Sequence, residues 1–260
     1  MFLLAAALLI GLALGVFGGG GSLLTVALLV HENLDAQTAI GTSLAVVAVA
    51  GLAAMIPHAR AGHVIWNSGL LFGAASVPAA YAGARAAAFI PGAWLLMLLA
   101  AVMTVSALRM LRTAEEIAPA NGARSADTHT PAALPKVVTL GALTGALTGL
   151  VGAGGGFLVV PALSLLGGLS LHQTIGTSLL VIVMTSVAGL LGHAAHVTID
   201  YTLALWVGAF ASAGTLLGYG LAQRLSPRHL RTGFAWFILL IAGWLVYRQW
   251  PLLQALHGVR

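Results

Sequence analysis

The chain has 260 residues, of which 60% are hydrophobic and only 7% charged, with a formal net charge of +5 and no cysteine. A soluble domain carries about a quarter charged residues, so this chain reads as an integral membrane protein. Its pI near 10.5 does not imply nucleic-acid binding, because the eleven Lys and Arg sit at the ends of apolar runs as topology signals; the lack of cysteine excludes disulfides, iron–sulfur clusters and thiolate metal sites.

Hydropathy predicts apolar segments at 2–30, 38–57, 67–88, 93–111, 137–166, 173–192, 202–223 and 232–250, where a bilayer crossing needs ~20 residues. The first, which shows no basic n-region or convincing cleavage site and has a repeat partner at 136–166, reads as part of the mature fold. It splits into an arm before Gly18-Gly19-Gly20-Gly21 and a shorter arm from Ser22. The second opens on Ile40-Gly41-Thr42-Ser43-Leu44 and ends at His58 and Arg60. The third runs from Trp66, an interfacial anchor, to Arg85, an anchor or a vestibule charge. After the fourth comes Thr113–Pro135, a polar stretch without helical periodicity past Ile117, which reads as a cytoplasmic linker.

The same grammar then repeats at a constant offset of 135 positions: Gly154-Gly155-Gly156, Ile175-Gly176-Thr177-Ser178-Leu179, His193, Tyr201, Gly208 and Gly218 answer Gly19-Gly20-Gly21, Ile40 to Leu44, His58, Trp66, Gly73 and Gly83. The expected domains are a first membrane repeat (1–112), the linker (113–135) and a second membrane repeat (136–260). The second glycine-broken segment has Pro161 just inside the expected start of its short arm, near Phe157, where a missing N–H is tolerated.

Charge arbitrates between two topologies. If each glycine segment crosses once, seven basic residues oppose four; if each turns back, Arg60, Arg109, Arg112, Arg124, Lys136, Arg224, Arg228 and Arg231 share a side against Arg85, Arg248 and Arg260. The positive-inside rule favours the second arrangement. The expected fold is all-α: two inverted-topology repeats whose glycine-broken helices meet near the bilayer midplane, with both termini outside the cytoplasm.

Backbone that leaves a helix inside lipid must find hydrogen-bond partners. Glycine permits positive φ and close approach, and a short helix starting at each break aims a partial positive charge of ~0.5 at it. Gly19, Gly20, Gly21, Gly154, Gly155 and Gly156, with the hydroxyls of Thr42, Ser43, Thr177 and Ser178, are the candidate anion-binding residues. The hydroxyls have a second reading as helix caps. Gly11/Gly15 and Gly141/Gly145 read as helix-contact pairs. His58, Arg60, His193 and His196 are candidate coupling or vestibule residues, or side chains snorkelling to headgroups. His193 and His196 share a helix face but lack the Glu, Cys or carboxylates of a zinc shell; no metal or other cofactor is expected. No carboxylate dyad or activated serine points to an enzyme, and no nucleotide motif to a primary pump.

Val16-Phe17-Gly18-Gly19-Gly20-Gly21-Ser22-Leu23 with Ala39 to Leu44, and Val151-Gly152-Ala153-Gly154-Gly155-Gly156-Phe157-Leu158-Val159-Val160-Pro161-Ala162-Leu163 with Thr174 to Leu179, resemble the two signature halves of the TauE/SafE sulfite exporter family. The first half departs from the pattern in having Val26 where the second has Pro161. The resemblance implies a multi-pass secondary carrier of the prokaryotic inner membrane, exporting sulfite, sulfoacetate or related organosulfonates. Its partners are a small anion and the lipid bilayer, and the reading is compatible with a homo-oligomer. An anion channel of the same architecture is the alternative, and a membrane-embedded enzyme the less favoured one.

The inverted topology places Arg224, Arg228 and Arg231 in the cytoplasm. Because no native cysteine interferes, Ser226→Cys and Asn121→Cys should resist an impermeant thiol reagent in intact cells and react after permeabilisation; labelling of Ser226→Cys from outside would contradict it.

Overall fold

The computed structural model describes residues 2–17, 21–113, 134–152, 154–166, 169–222, 232, 235–236 and 238–249, and among these it contains helices and no strand. Before the linker come α1 (Phe2–Phe17), α2 (Ser22–His31), α3 (Ala36–Arg60), α4 (Trp66–Ala87) and α5 (Gly92–Thr113). After it come α6 (Leu134–Val151), α7 (Gly156–Leu166), α8 (Leu171–Ala194), α9 (Tyr201–Ala222) and α10 (Ile238–Gln249). Gly18 to Gly20, most of the linker and Arg224 to Arg231 lie outside the described residues.

By length and composition α3, α6, α8 and α9 can cross a bilayer, whereas α2 and α7, with 10 and 11 residues, reach about half way. Leu9, Leu52, Leu70, Leu143, Leu191, Leu205, Trp206 and Leu240 point outward, where a soluble protein would carry charge. Trp66 and Tyr201 open α4 and α9 with exposed rings, as interfacial anchors do.

Both long central helices start on a side-chain cap. The Asp35 carboxylate accepts from the Thr38 N–H at 3.0 Å, starting α3 slightly ahead of the predicted segment. At the equivalent position, the Ser170 hydroxyl accepts from the Gln173 N–H, and the Gln173 side-chain oxygen accepts from the Ser170 N–H, closing a capping box. Pro161 falls well inside α7 and not in its first turn, because α7 starts at Gly156; the carbonyl four residues earlier loses its helical donor.

Packing exchanges elements between the halves. α1 lies along α9 in the same direction, Gly11 against the Ala211 backbone, Gly15 against Thr215, and Gly214 and Gly218 against Leu8 and Leu12. The equivalent pair, α6 and α4, does the same: Gly145 meets Ser76, Gly149 meets Ala80 and Gly83 meets Ala146. These glycines remove Cβ atoms so that two backbones touch, the standard means of helix association where lipid removes the hydrophobic drive. Between them α3 and α8 pass in opposite senses, with Gly41 beside His193, Leu44 beside Gly189, and Gly51 beside Ile182 and Val183.

Three apolar clusters fill the remainder. One joins α2, α5 and α10 through Leu23, Leu29, Leu95, Leu99, Met103, Ile238 and Leu245; another joins α1, α3, α8 and α9. The third sets Phe72 and Val181 against Val137, Val159 and Leu163 of α6 and α7. α10 is also tied to the α2–α3 turn, where the Arg248 guanidinium donates to Asn33 Oδ1 at 3.1 Å.

A side chain at Gly145 would overlap the Ser76 carbonyl, whereas nothing lies within 4 Å of a Cβ at Gly220. Gly145→Val should therefore cost at least the ~1–3 kcal/mol of overpacking and lower the melting temperature in detergent, while Gly220→Ala should leave it within error.

Candidate functional site at the glycine breaks

The first break turns the chain back on itself. Gly21 lies against the Ile10 carbonyl and the Leu14 amide of α1, so the start of α2 is brought back beside the helix that precedes it. Gly21 has an ordinary helical φ of −66°, so glycine is required here for proximity and not for conformation. The second break differs. Gly152, Gly154 and Gly155 hold φ of 70°, 61° and 67°, in the left-handed region that costs a residue with Cβ about 1–2 kcal/mol. Gly156 is already the first residue of α7.

The two breaks meet. A Cβ on Gly154 would touch Val47, near the middle of α3, and stand 3.3 Å from the Ser22 Cβ at the start of α2. Gly155 faces the Thr148 hydroxyl, which itself donates to the Thr144 carbonyl at 2.7 Å. The Ser43 hydroxyl lies 2.6 Å from the Gly152 carbonyl and 2.7 Å from the Ile40 carbonyl, so it bridges a freed carbonyl of the second break to α3. The Ser178 hydroxyl donates to the Ile175 carbonyl at 2.8 Å.

Thr42 and Thr177 are set apart from this junction. Thr42 Oγ1 accepts from the Asp200 N–H at 3.3 Å, and Thr177 Oγ1 accepts from the Ile65 N–H at 3.0 Å. Each threonine thus satisfies an amide at the start of the fourth helix of the opposite half. The caps of α3 and α8 are Asp35 and Ser170, and the Thr-Ser pairs join the halves to one another.

Two hydroxyls missing from the sequence reading lie near the junction. Thr25 Oγ1 and Ser186 Oγ are buried with no hydrogen-bond partner. Thr25 follows Ser22 by one turn on α2, so both share a face. Ser186 lies between Ile182, which packs on Gly51, and Gly189, which packs on Leu44; it therefore occupies the α3-facing stripe of α8 at the level of Val47. The repeat hides both, since Val160 and Gly51 occupy their equivalent positions.

The histidines part company. His193 is buried, and its Nε2 lies 2.9 Å from the Gly149 carbonyl, next to the second break; His196 is exposed. His58, only 3% exposed, has no partner for either ring nitrogen and stacks edge-on against Tyr219 at 4.8 Å. Arg60 and Arg85 are exposed at helix ends. Among the described residues no group of three potential ligands could hold a metal. The start of α7, the turned-back start of α2 and the unpartnered hydroxyls together form a neutral, donor-bearing junction inside an apolar shell.

Comparison with known proteins agrees with this architecture. The family model described as Sulfite exporter TauE/SafE matches residues 3–245. A probable membrane transporter protein of Xylella fastidiosa is 35% identical over 254 residues, covering 95% of both chains. One of Bacillus subtilis is 30% identical over 222 residues, covering 84% of this chain and 88% of the relative, and one of Methanocaldococcus jannaschii is 25% identical over 253 residues, covering 89% and 91%. No solved structure matches. With glycine-broken helices, apolar spans and a family match over nearly its whole length, the chain belongs to the TauE/SafE sulfite exporter family and is a multi-pass membrane transporter protein.

Proposed function

We propose that this protein is a secondary transporter of the prokaryotic inner membrane that exports small sulfur-containing oxyanions, sulfite or organosulfonates such as sulfoacetate, by alternating access around the paired glycine breaks. The observation that carries the reading is the meeting of Ser22 with Gly154, with Thr25 and Ser186 nearby as buried hydroxyls without partners. A buried unpaired hydroxyl costs about 1–3 kcal/mol, a cost relieved by a ligand oxygen that accepts from it. Two helix starts add partial positive charge at the same place, a provision for an anion that needs no basic side chain.

The opposed passage of α3 and α8, together with the exchange of α1 and α6 between halves, supports an inverted relation between the repeats. In that relation the junction lies near the bilayer midplane, and the outer ends of α3 and α8 form two mouths. Rocking one half against the other would expose the junction to each mouth in turn, the membrane gradient giving direction. The family assignment argues for transport and against an enzyme.

Proteoliposomes containing the protein should take up labelled sulfite or sulfoacetate with saturation and countertransport, while taurine should compete poorly because its ammonium finds no carboxylate among the described residues of the junction. Uptake with neither saturation nor countertransport would favour a channel, and equal competition by taurine would overturn the anion site.

Gly155→Val strains the left-handed backbone and collides with Thr148, so transport should fall to background. Ser186→Ala and Thr25→Val should retain the fold and raise the half-saturating concentration by about tenfold each, the loss of one hydrogen bond to a charged ligand. Unchanged kinetics in all three would place the site elsewhere.

A further inference from the structure

One mouth carries a histidine series that the other lacks. At the end where α3 finishes and α8 begins, the ring of His172 lies 5.3 Å from that of His63, and His63 lies 5.9 Å from His58. His172 is exposed, His63 half-buried and His58 buried, so the rings step from solvent towards the interior. Both nitrogens of His58 and Nδ1 of His63 are buried without a hydrogen-bond partner. The equivalent positions at the opposite mouth hold His193 for His58, Thr198 for His63, Gln37 for His172 and Ala84 for Tyr219. There His193 is tied to the Gly149 carbonyl and Gln37 reaches the Ala87 and Ile90 carbonyls.

The asymmetry has a chemical meaning. Among the described residues, the titratable side chains around His58 are His63 from the α3–α4 turn, His172 from α8 and Tyr219 from α9, with Arg60 two positions on along α3; α1 contributes none. None is a carboxylate, so a proton on one of these rings creates a positive charge with no counter-ion, which is costly in an apolar setting. The spacing also suits no metal ion. An anion arriving with its charge reverses the balance, because each protonated ring then donates an N–H to an anionic oxygen.

We infer that His172, His63 and His58 form an oxyanion-binding vestibule at this one mouth, where binding of the anion takes up a proton. This rests on the transporter reading above, whose central junction it would supply; with the inverted topology the vestibule faces the cytoplasm. Tyr219 closes the inner wall of the vestibule. His193 has a structural part only, holding the Gly149 carbonyl beside the second break.

The test is anion binding to the purified protein by calorimetry in two buffers of different ionisation enthalpy, using sulfite, sulfoacetate, sulfate and phosphate at pH 6 and 7.5. Sulfite and phosphate themselves titrate over this range, so proton uptake is read on sulfate and sulfoacetate: binding of at least one of these should be accompanied by uptake of about one proton, with affinity falling up to about tenfold per pH unit. His172→Gln, exposed and therefore safe for folding, should weaken binding several-fold; His58→Gln should bring proton uptake to zero. Proton uptake unchanged in both variants, or no binding of any of the four anions to the wild-type protein, would overturn the vestibule. Proton-linked binding of sulfate that is lost in His58→Gln, with no transport of sulfite or sulfoacetate, would leave the vestibule standing and remove the sulfur-anion reading. Saturable sulfite transport with undiminished proton uptake in both variants would do the reverse.

Discussion

Every feature of this chain answers to one constraint: a peptide group released from a helix within lipid has no water to turn to. At the second break the released Gly152 carbonyl meets the Ser43 hydroxyl, a side chain from the other half more than a hundred residues away in sequence. The second break therefore draws on the other half for a hydrogen bond that its own half does not supply to this carbonyl. This bond ties the break to the other half, and small residues along α1, α4, α6 and α9 let the backbones of the two halves come close.

The same constraint explains why polar side chains in this molecule do so much backbone work. Thr42 and Thr177 accept from amides at the starts of α9 and α4, and Thr144, Thr148 and Thr185 return their hydroxyls to carbonyls of their own helices. Among the described residues, Thr25 and Ser186 are the buried hydroxyls left without such a partner. On the proposed reading, helix ends would carry the ligand's charge and these few donors its geometry.

Much of this was legible from spacing. The duplicated glycine clusters and Gly-Thr-Ser motifs marked the breaks and the crossing helices, because a periodic constraint on backbone contact leaves a periodic trace of small residues. The caps were not legible: Asp35 and Ser170 cap α3 and α8, while Thr42 and Thr177, seven residues later, accept from amides of the opposite half, a partnership that only the folded chain displays. Thr25, Ser186, His63 and His172 left no signal for a different reason. Each lies opposite a dissimilar residue in the repeat, so reasoning from internal symmetry was blind to the positions where the halves have diverged.

The crossed packing of α1 on α9 and of α6 on α4 also bears on how the protein is made. α1 finds its main neighbour only when residues around Ala211 and Thr215 have been synthesised, whereas α4 meets α6 after a much shorter wait. Pairing over such sequence distances is slow, and until it happens the glycine face of α1 has only lipid against it. The helices that follow the linker can therefore assemble around α4 before the α1–α9 contact is made, so that the longest-range pairing is also the one left until late.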